Sequence, residues 1–311
     1  MATLVFHNVV LKDSPLANSK RHQLRFSSAA RRSLLPAASR KYAQHQHACL
    51  SFRINATSNL SDSQEELKDD VDEACELVKG VELCLGENDD IFHAYLLEAV
   101  KNNKGRGILL LSDIFGFQDT STRDFAYRVA CSGYNVLVPD LFRGDPWDKG
   151  RPQAELEEWI HKQSTDRLAK DVNTCIKWMI DEFTAAGQPS EKLGIVGFCF
   201  GGGWLLKTLA NDRQGNFAAG VCFYGTRLNS TLAADVKVPV LFIAGDKDPL
   251  CPTSVLMDIR RSLPGSRTVI YPGRGHGFAH RPESAEEDED AEKAFILMRN
   301  WLHDELLRKN N

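Results

Sequence analysis

The sequence predicts one doubly wound α/β domain, a mostly parallel sheet with helices on both faces, and three observations carry that expectation. Short continuous apolar runs, such as GILLLS at 107–112 and LGIVGF at 193–198, read as strands buried on both sides. Longer stretches with apolar residues at helical spacing alternate with them, without internal repeats. At the junction of one such strand with one such helix stands Gly197-Phe198-Cys199-Phe200-Gly201, a G-x-C-x-G pentapeptide.

The alternation starts only after a leader of different composition. Up to Leu60 the only acidic residue is Asp13, against nine basic ones, with serine and alanine filling the gaps. Basic, serine-rich and acid-poor is the signature of an organelle transit peptide, expected over residues 1–58. The uncharged start MATLVFHNVV favours the chloroplast, with the mitochondrion as the alternative. An acidic lead-in follows at 59–80, and the domain is expected over 81–311. Beyond residue 60, 29 basic residues face 41 acidic ones, a net charge of about −12 that argues against nucleic acid or an anionic membrane as partner. No apolar run reaches the roughly 18 residues of a membrane-spanning helix. Eight cysteines lie without a C-x-x-C pair or a zinc spacing, so they read as reduced thiols, most of them structural. No metal or organic cofactor is implied, and a monomer is expected.

Taken in order, 81–85 and 91–100 with a turn between them predict an antiparallel hairpin at one sheet edge. Strand 107–112 runs into Asp113-Ile114-Phe115-Gly116. A helix begins at Thr120 and Ser121, keeps Phe125 and Val129 on one face and stops at Gly133. Strand 134–140 leads into a loop rich in glycine, proline and charge, of the kind that lines sites at the carboxyl ends of strands. Two helices follow, one around 155–162 and a longer one with Leu168, Val172, Ile176, Met179 and Phe183 on a common face. After 193–198 and its helix come strands at 218–225 and 238–245, a helix Thr253–Leu263 and a strand Arg267–Tyr271. The last helix is expected over Ala291–Leu307, the acidic run 286–290 being its solvated start.

The glycines around Cys199 point to a sharp turn, since a central residue forced into a sparsely populated conformation needs neighbours without side chains. Such a turn presents a nucleophile above the sheet edge, at a helix N-terminus that favours a thiolate. The serine version is the nucleophile elbow of α/β-hydrolases. From the pentapeptide alone, a cysteine that merely fills the core is the competing reading. A thiol at an elbow needs a base and a group that orients the base. Asp246 and Asp248 lie just past one predicted strand and His276, between two glycines, past the next. The order Cys199, Asp248, His276 is the nucleophile, acid, histidine order of that fold; Asp246 is the alternative orienter. His280 pairs with His276 at a metal-like spacing, but no third ligand is evident.

At these residues the chain resembles the dienelactone hydrolase (carboxymethylenebutenolidase) family, through SDIFGF at 112–117, VPDLFRG at 138–144, GFCFGG at 197–202, AGDKDPLCP at 244–252 and GRGHGF at 273–278. The resemblance implies the α/β-hydrolase fold and a triad of Cys199, His276 and Asp248. It places Asp113 where the family has a carboxylate that helps to generate the thiolate; the bacterial prototype has glutamate there, one methylene longer, and Asp113 could instead order the loop. The backbone N–H groups of Phe200 and Ile114 would form the oxyanion hole. Arg143 matches one of the arginines that hold the substrate carboxylate. The second is displaced: His280 falls at its place and Arg281 one residue later. The expected function is hydrolysis of a small ester or lactone through a thioester, with a non-turnover binding protein or receptor on the same scaffold as the alternative.

Overall fold

The apolar runs become the centre of an eight-stranded sheet in the computed structural model, which describes residues 77–187 and 192–307. The strands are β1 (Val78–Leu85), β2 (Phe92–Ala99), β3 (Arg106–Leu111), β4 (Tyr134–Pro139), β5 (Leu193–Phe198), β6 (Phe217–Phe223), β7 (Val240–Gly245) and β8 (Arg267–Tyr271). Their order across the sheet is β1-β2-β4-β3-β5-β6-β7-β8. The β1–β2 and β2–β4 pairings are antiparallel and the remainder parallel, so the predicted hairpin is the sheet edge. Ile108 to Leu111 are fully buried, as the unbroken apolar run demands.

Among the described residues six helices cover the two faces: α1 (Thr120–Cys131), α2 (Leu156–Lys162), α3 (Thr165–Ala185), α4 (Phe200–Ala210), α5 (Thr253–Ser262) and α6 (Ala285–Leu307). Strand alternation assigns the faces. Ile108 pairs with Gly194, and a side chain at Gly194 would run into Leu302 and Leu306 of α6; one residue earlier, Gly107 lies against Met179 and Phe183 of α3. On the α6 side Phe125 of α1 meets Phe198, Phe223 and Phe295 edge-on, at centroid distances of 4.7, 5.6 and 5.2 Å. On the other side α3 buries the five apolar residues its spacing predicted, each contributing roughly 1.5–3 kcal/mol. Ser164 caps it by accepting from Arg167 N.

Two boundaries differ from the sequence expectation. β1 starts three residues early, at Val78 rather than Val81, because Lys79 and Gly80 continue the ladder with β2. α6 starts at Ala285 and takes the acidic run into its first turns, with Ser284 Oγ accepting from Glu287 N and Glu287 reaching back to Glu283 N. The transit peptide expected over 1–58, and the lead-in over 59–80 as far as residue 76, lie outside the described residues.

What positions the site is the approach of α4 to β3. Gly201 N donates to Ser112 O at 3.1 Å. A Cβ on Gly201 would stand 2.2 Å from Leu111 O and 2.5 Å from Ser112 O, both backbone atoms that cannot swing aside. Gly201→Ala is therefore expected to cost about 3 kcal/mol of stability, read as a lower urea midpoint at unchanged slope.

Candidate active site

Cys199 occupies the one residue between β5 and α4, at φ 51° and ψ −115°. A residue with a Cβ pays roughly 1–3 kcal/mol for such a conformation, so its surroundings must impose it. Cys199 N donates to Phe223 O at 3.1 Å, while its carbonyl accepts from Gly202 N at 3.0 Å and Thr226 N at 2.9 Å. Gly197 completes the turn, since a Cβ there would lie 2.5 Å from Gly201 O. The thiol is 8% exposed and belongs to no disulfide.

Two loops bring the other residues to the same edge. The segments after β7 and β8 are stitched together by Lys247 N to Arg274 O at 3.0 Å and Gly273 N to Asp246 Oδ1 at 2.7 Å. Asp246 is thus an exposed loop fastener, and the carboxylate that meets His276 is Asp248. Asp248 Oδ2 lies 2.7 Å from His276 Nδ1, and Oδ1 accepts from Leu250 N and Cys251 N at 2.8 and 3.2 Å. The Asp248 side chain is wholly buried. Burial alone would push His276 down, but the hydrogen bonds to Asp248 and Cys199 and the charges on both outweigh it and raise its pKa to about 10. His276 Nε2 is buried beside Cys199 without a closed hydrogen bond among the described residues, a loose contact of the sort that tightens when substrate binds. Burial pushes the Cys222 thiol up to about 12 and those of Cys175 and Cys251 further still, so these three are inert packing thiols.

Among the described residues, neither Phe200 N nor Ile114 N has an acceptor. Phe200 N opens α4, where the first amides lack helical partners. Ile114 is held by Trp147 N donating to its carbonyl at 2.8 Å.

Both carboxylate oxygens of Asp113 are engaged by other groups. Its Oδ1 accepts from Phe115 N at 3.0 Å, and its Oδ2 sits 2.8 Å from Arg281 Nε and 3.2 Å from His280 Nε2. Of the two roles the sequence left open, the geometry matches loop ordering. Burial opposes the Asp113 charge, but His280 and Arg281 together hold the carboxyl below its usual range. Arg281 is half-buried; it also binds Asp119 and Ser121 and lies over the Phe115 ring. His280 is buried, stacks on Phe198 and bonds the Tyr224 hydroxyl through Nδ1, and burial lowers its pKa. The Tyr224–His280–Asp113–Arg281 chain was not foreseen from the sequence, although a histidine and an arginine just past the His276 loop were the available signal. No cluster suited to a metal occurs among the described residues.

Arg143, the expected substrate ligand, is engaged within the protein. Its guanidinium grips Asp171 through Nε at 3.1 Å and Nη2 at 2.7 Å, with Asp90 at 3.4 Å. The Asp171 side chain is 2% exposed, so the pair joins the loop after β4 to α3. Around these loops Phe117, Phe142, Trp147 and Phe278 are buried in the core, whereas Phe115 is half-exposed.

Comparison with known proteins bears on this arrangement. The dienelactone hydrolase family model matches residues 92–306. The human carboxymethylenebutenolidase homolog is 30% identical over 198 residues, covering 62% of this chain and 77% of that protein. Among solved structures, a protein assigned to the dienelactone hydrolases in Klebsiella pneumoniae superposes with a TM-score of 0.61 at 22% identity, over 72% of this chain and 98% of that one. A dienelactone hydrolase from Anabaena variabilis gives 0.56 at 20%, over 74% and 99%, a likeness of fold.

Removing Arg143 strands the buried Asp171 carboxylate, leaving it only Arg167. Arg143→Leu is expected to lower stability by roughly 3 kcal/mol in urea denaturation, the cost of breaking a buried pair.

Proposed function

The chain belongs to the dienelactone hydrolase family, and from that premise we propose that it cleaves a small ester or lactone through a thioester on Cys199. Membership makes it a hydrolase of the ester or lactone type. The observation that supports the cysteine mechanism best is the buried Asp248–His276 pair at 2.7 Å, with Nε2 left open beside a cysteine held at positive φ.

In this mechanism His276 holds the thiol proton as an imidazolium facing the thiolate, and Asp248 fixes the ring by accepting from Nδ1. Sulfur attacks the carbonyl carbon, and the carbonyl π electrons move onto oxygen. The oxyanion is met by Phe200 N–H and Ile114 N–H, which together supply roughly 3–7 kcal/mol if each matches a single-donor deletion. Collapse expels the alkoxide, which takes the proton from His276 Nε2, leaving a thioester. Neutral His276 then draws a proton from water, hydroxide adds to the thioester, and the thiolate leaves to restore the ion pair. Asp113 acts at one remove, since its bond to Phe115 N shapes the turn that presents Ile114 N–H. The composition of the leader supports delivery to the chloroplast, with the mitochondrion as the alternative destination.

Residues 60–311 assayed on small aryl esters and lactones should lose at least about a thousandfold in kcat/KM in Cys199→Ala and in His276→Ala. Tight ligand binding without any turnover in the unmutated chain would instead mark a binding protein. The pH profile carries a second expectation. Because His276 is raised to about 10, it keeps its proton across the neutral range, and kcat/KM for esters with poor leaving groups should fall only as pH rises through about 10. Asp248→Asn removes a carboxylate that raises that value and should move the alkaline limb to lower pH.

A further inference from the structure

One face of α4 is not explained by the triad. Phe200, Gly203, Trp204 and Lys207 recur at helical spacing and line a groove of about 200 Å³. Its other walls are Ile160 of α2, Leu168 of α3 and the turn Thr226-Arg227 after β6. The groove adjoins the elbow without including Cys199 in its lining: Phe200 follows Cys199 in the chain, and Thr226 N bonds the Cys199 carbonyl at 2.9 Å. No residue of the Asp248 or His276 loops lines it.

The groove is apolar at Phe200, Ile160 and Leu168 and positive at Lys207 and Arg227. Lys207 is half-buried, with Nζ 4.7 Å above the Trp204 ring, and among the described residues no carboxylate lies within ion-pairing distance of it. Burial and the neighbouring charge of Arg227 both lower the Lys207 pKa, the mark of a cation short of counter-charge. Arg227 itself is exposed at the mouth and paired with Glu157, while His161 Nδ1 is taken up by the Glu157 carbonyl. At 1.5 Å per residue, Lys207 lies about 10 Å along the helix from Phe200, and Trp204, whose ring its Nζ overlies, about 6 Å along.

We propose that the groove is an acyl subsite for an elongated chain ending in a carboxylate, as in the half ester of a dicarboxylic acid, with Lys207 holding the terminal anion. The proposal rests on the hydrolase reading above. The acyl side is specified by the proton path: the leaving alkoxide must lie within reach of His276, whose loop has no part in the groove, so the group that runs along α4 is the one that stays on sulfur. A compact lactone would fill the apolar end of the groove and leave Lys207 untouched.

The test uses two esters of equal chain length, p-nitrophenyl hexanoate and mono-p-nitrophenyl adipate, which differ only in a terminal methyl or carboxylate. Wild type should favour the adipate by about tenfold or more in kcat/KM, mainly through KM, as a charge-assisted contact is worth. Lys207→Met should bring the ratio close to one, and Lys207→Arg should restore most of it. If both esters are cleaved in a Cys199-dependent way but the wild-type ratio is near one, or survives in Lys207→Met, the subsite is overturned and the hydrolase stands. If neither ester is cleaved, or cleavage persists in Cys199→Ala, the hydrolase reading itself falls. Calorimetric titration of Cys199→Ala with monomethyl adipate reads the subsite without turnover, and equal affinity in the Cys199→Ala, Lys207→Met double variant would sink it independently.

Discussion

Everything in the site depends on one backbone constraint, the left-handed conformation of Cys199. A Cβ-bearing residue at φ 51° holds that shape only because the chain around it is over-determined. Hydrogen bonds from Cys199 N to β6 and from Thr226 N to its carbonyl fix it from one side, and the near contact of Gly197 with Gly201 leaves no room to relax on the other. The same constraint sets the distance between α4 and β3, because Gly201 must sit against Leu111 and Ser112 for the turn to close. The first free amide of α4 and the Ile114 amide past β3 are therefore brought to one edge by packing rather than by flexible loops. Preorganised donors of this kind need no reorganisation as charge develops.

Two histidines four residues apart then acquire opposite character from their surroundings. His276 faces a buried carboxylate and a thiol and is raised; His280 is buried deeper, against Phe198 and Tyr224, and is lowered despite its own carboxylate neighbour. The difference is not the presence of an aspartate, since both have one. It is the balance of desolvation against local charge: Asp113 shares its charge with Arg281, whereas Asp248 is stabilised by two backbone amides and has no competing cation. One ring is thereby suited to carry a proton, and the other to stay neutral and hold a loop.

Much of this was legible in the sequence, for identifiable reasons. Buried strands announce themselves as unbroken apolar runs, α3 as a period of apolar residues, and the elbow as glycines that only a crowded turn explains. The placement of Asp248 and His276 followed from each lying just past a strand. The start of β1 was missed because Lys79 and Gly80 carry no strand signal and are paired only through the ladder with β2. The Arg143–Asp171 pair and the Tyr224–His280–Asp113 chain were invisible because their partners lie 28 to 168 residues apart, joined by sheet order and not by spacing. Periodicity reports which face a residue is on; it does not report what stands opposite.

The distribution of charge left over from these pairings bears on what the site can recognise. Arg281 and Arg143, the arginines to which the family resemblance pointed, are each neutralised within the protein, the first by Asp113 and Asp119 and the second by Asp171 and Asp90. A substrate carboxylate close to the reacting carbonyl would have to compete with buried or half-buried aspartates for these guanidiniums, and breaking such pairs is costly. Lys207 offers a cation without that competition, but well down the helix from the elbow. An anion there gains a charge-assisted contact without surrendering an internal one. On the proposed reading, the energetics favour a substrate whose charge is remote from the scissile bond, because the arginines near it are already committed to aspartates that hold the surrounding loops.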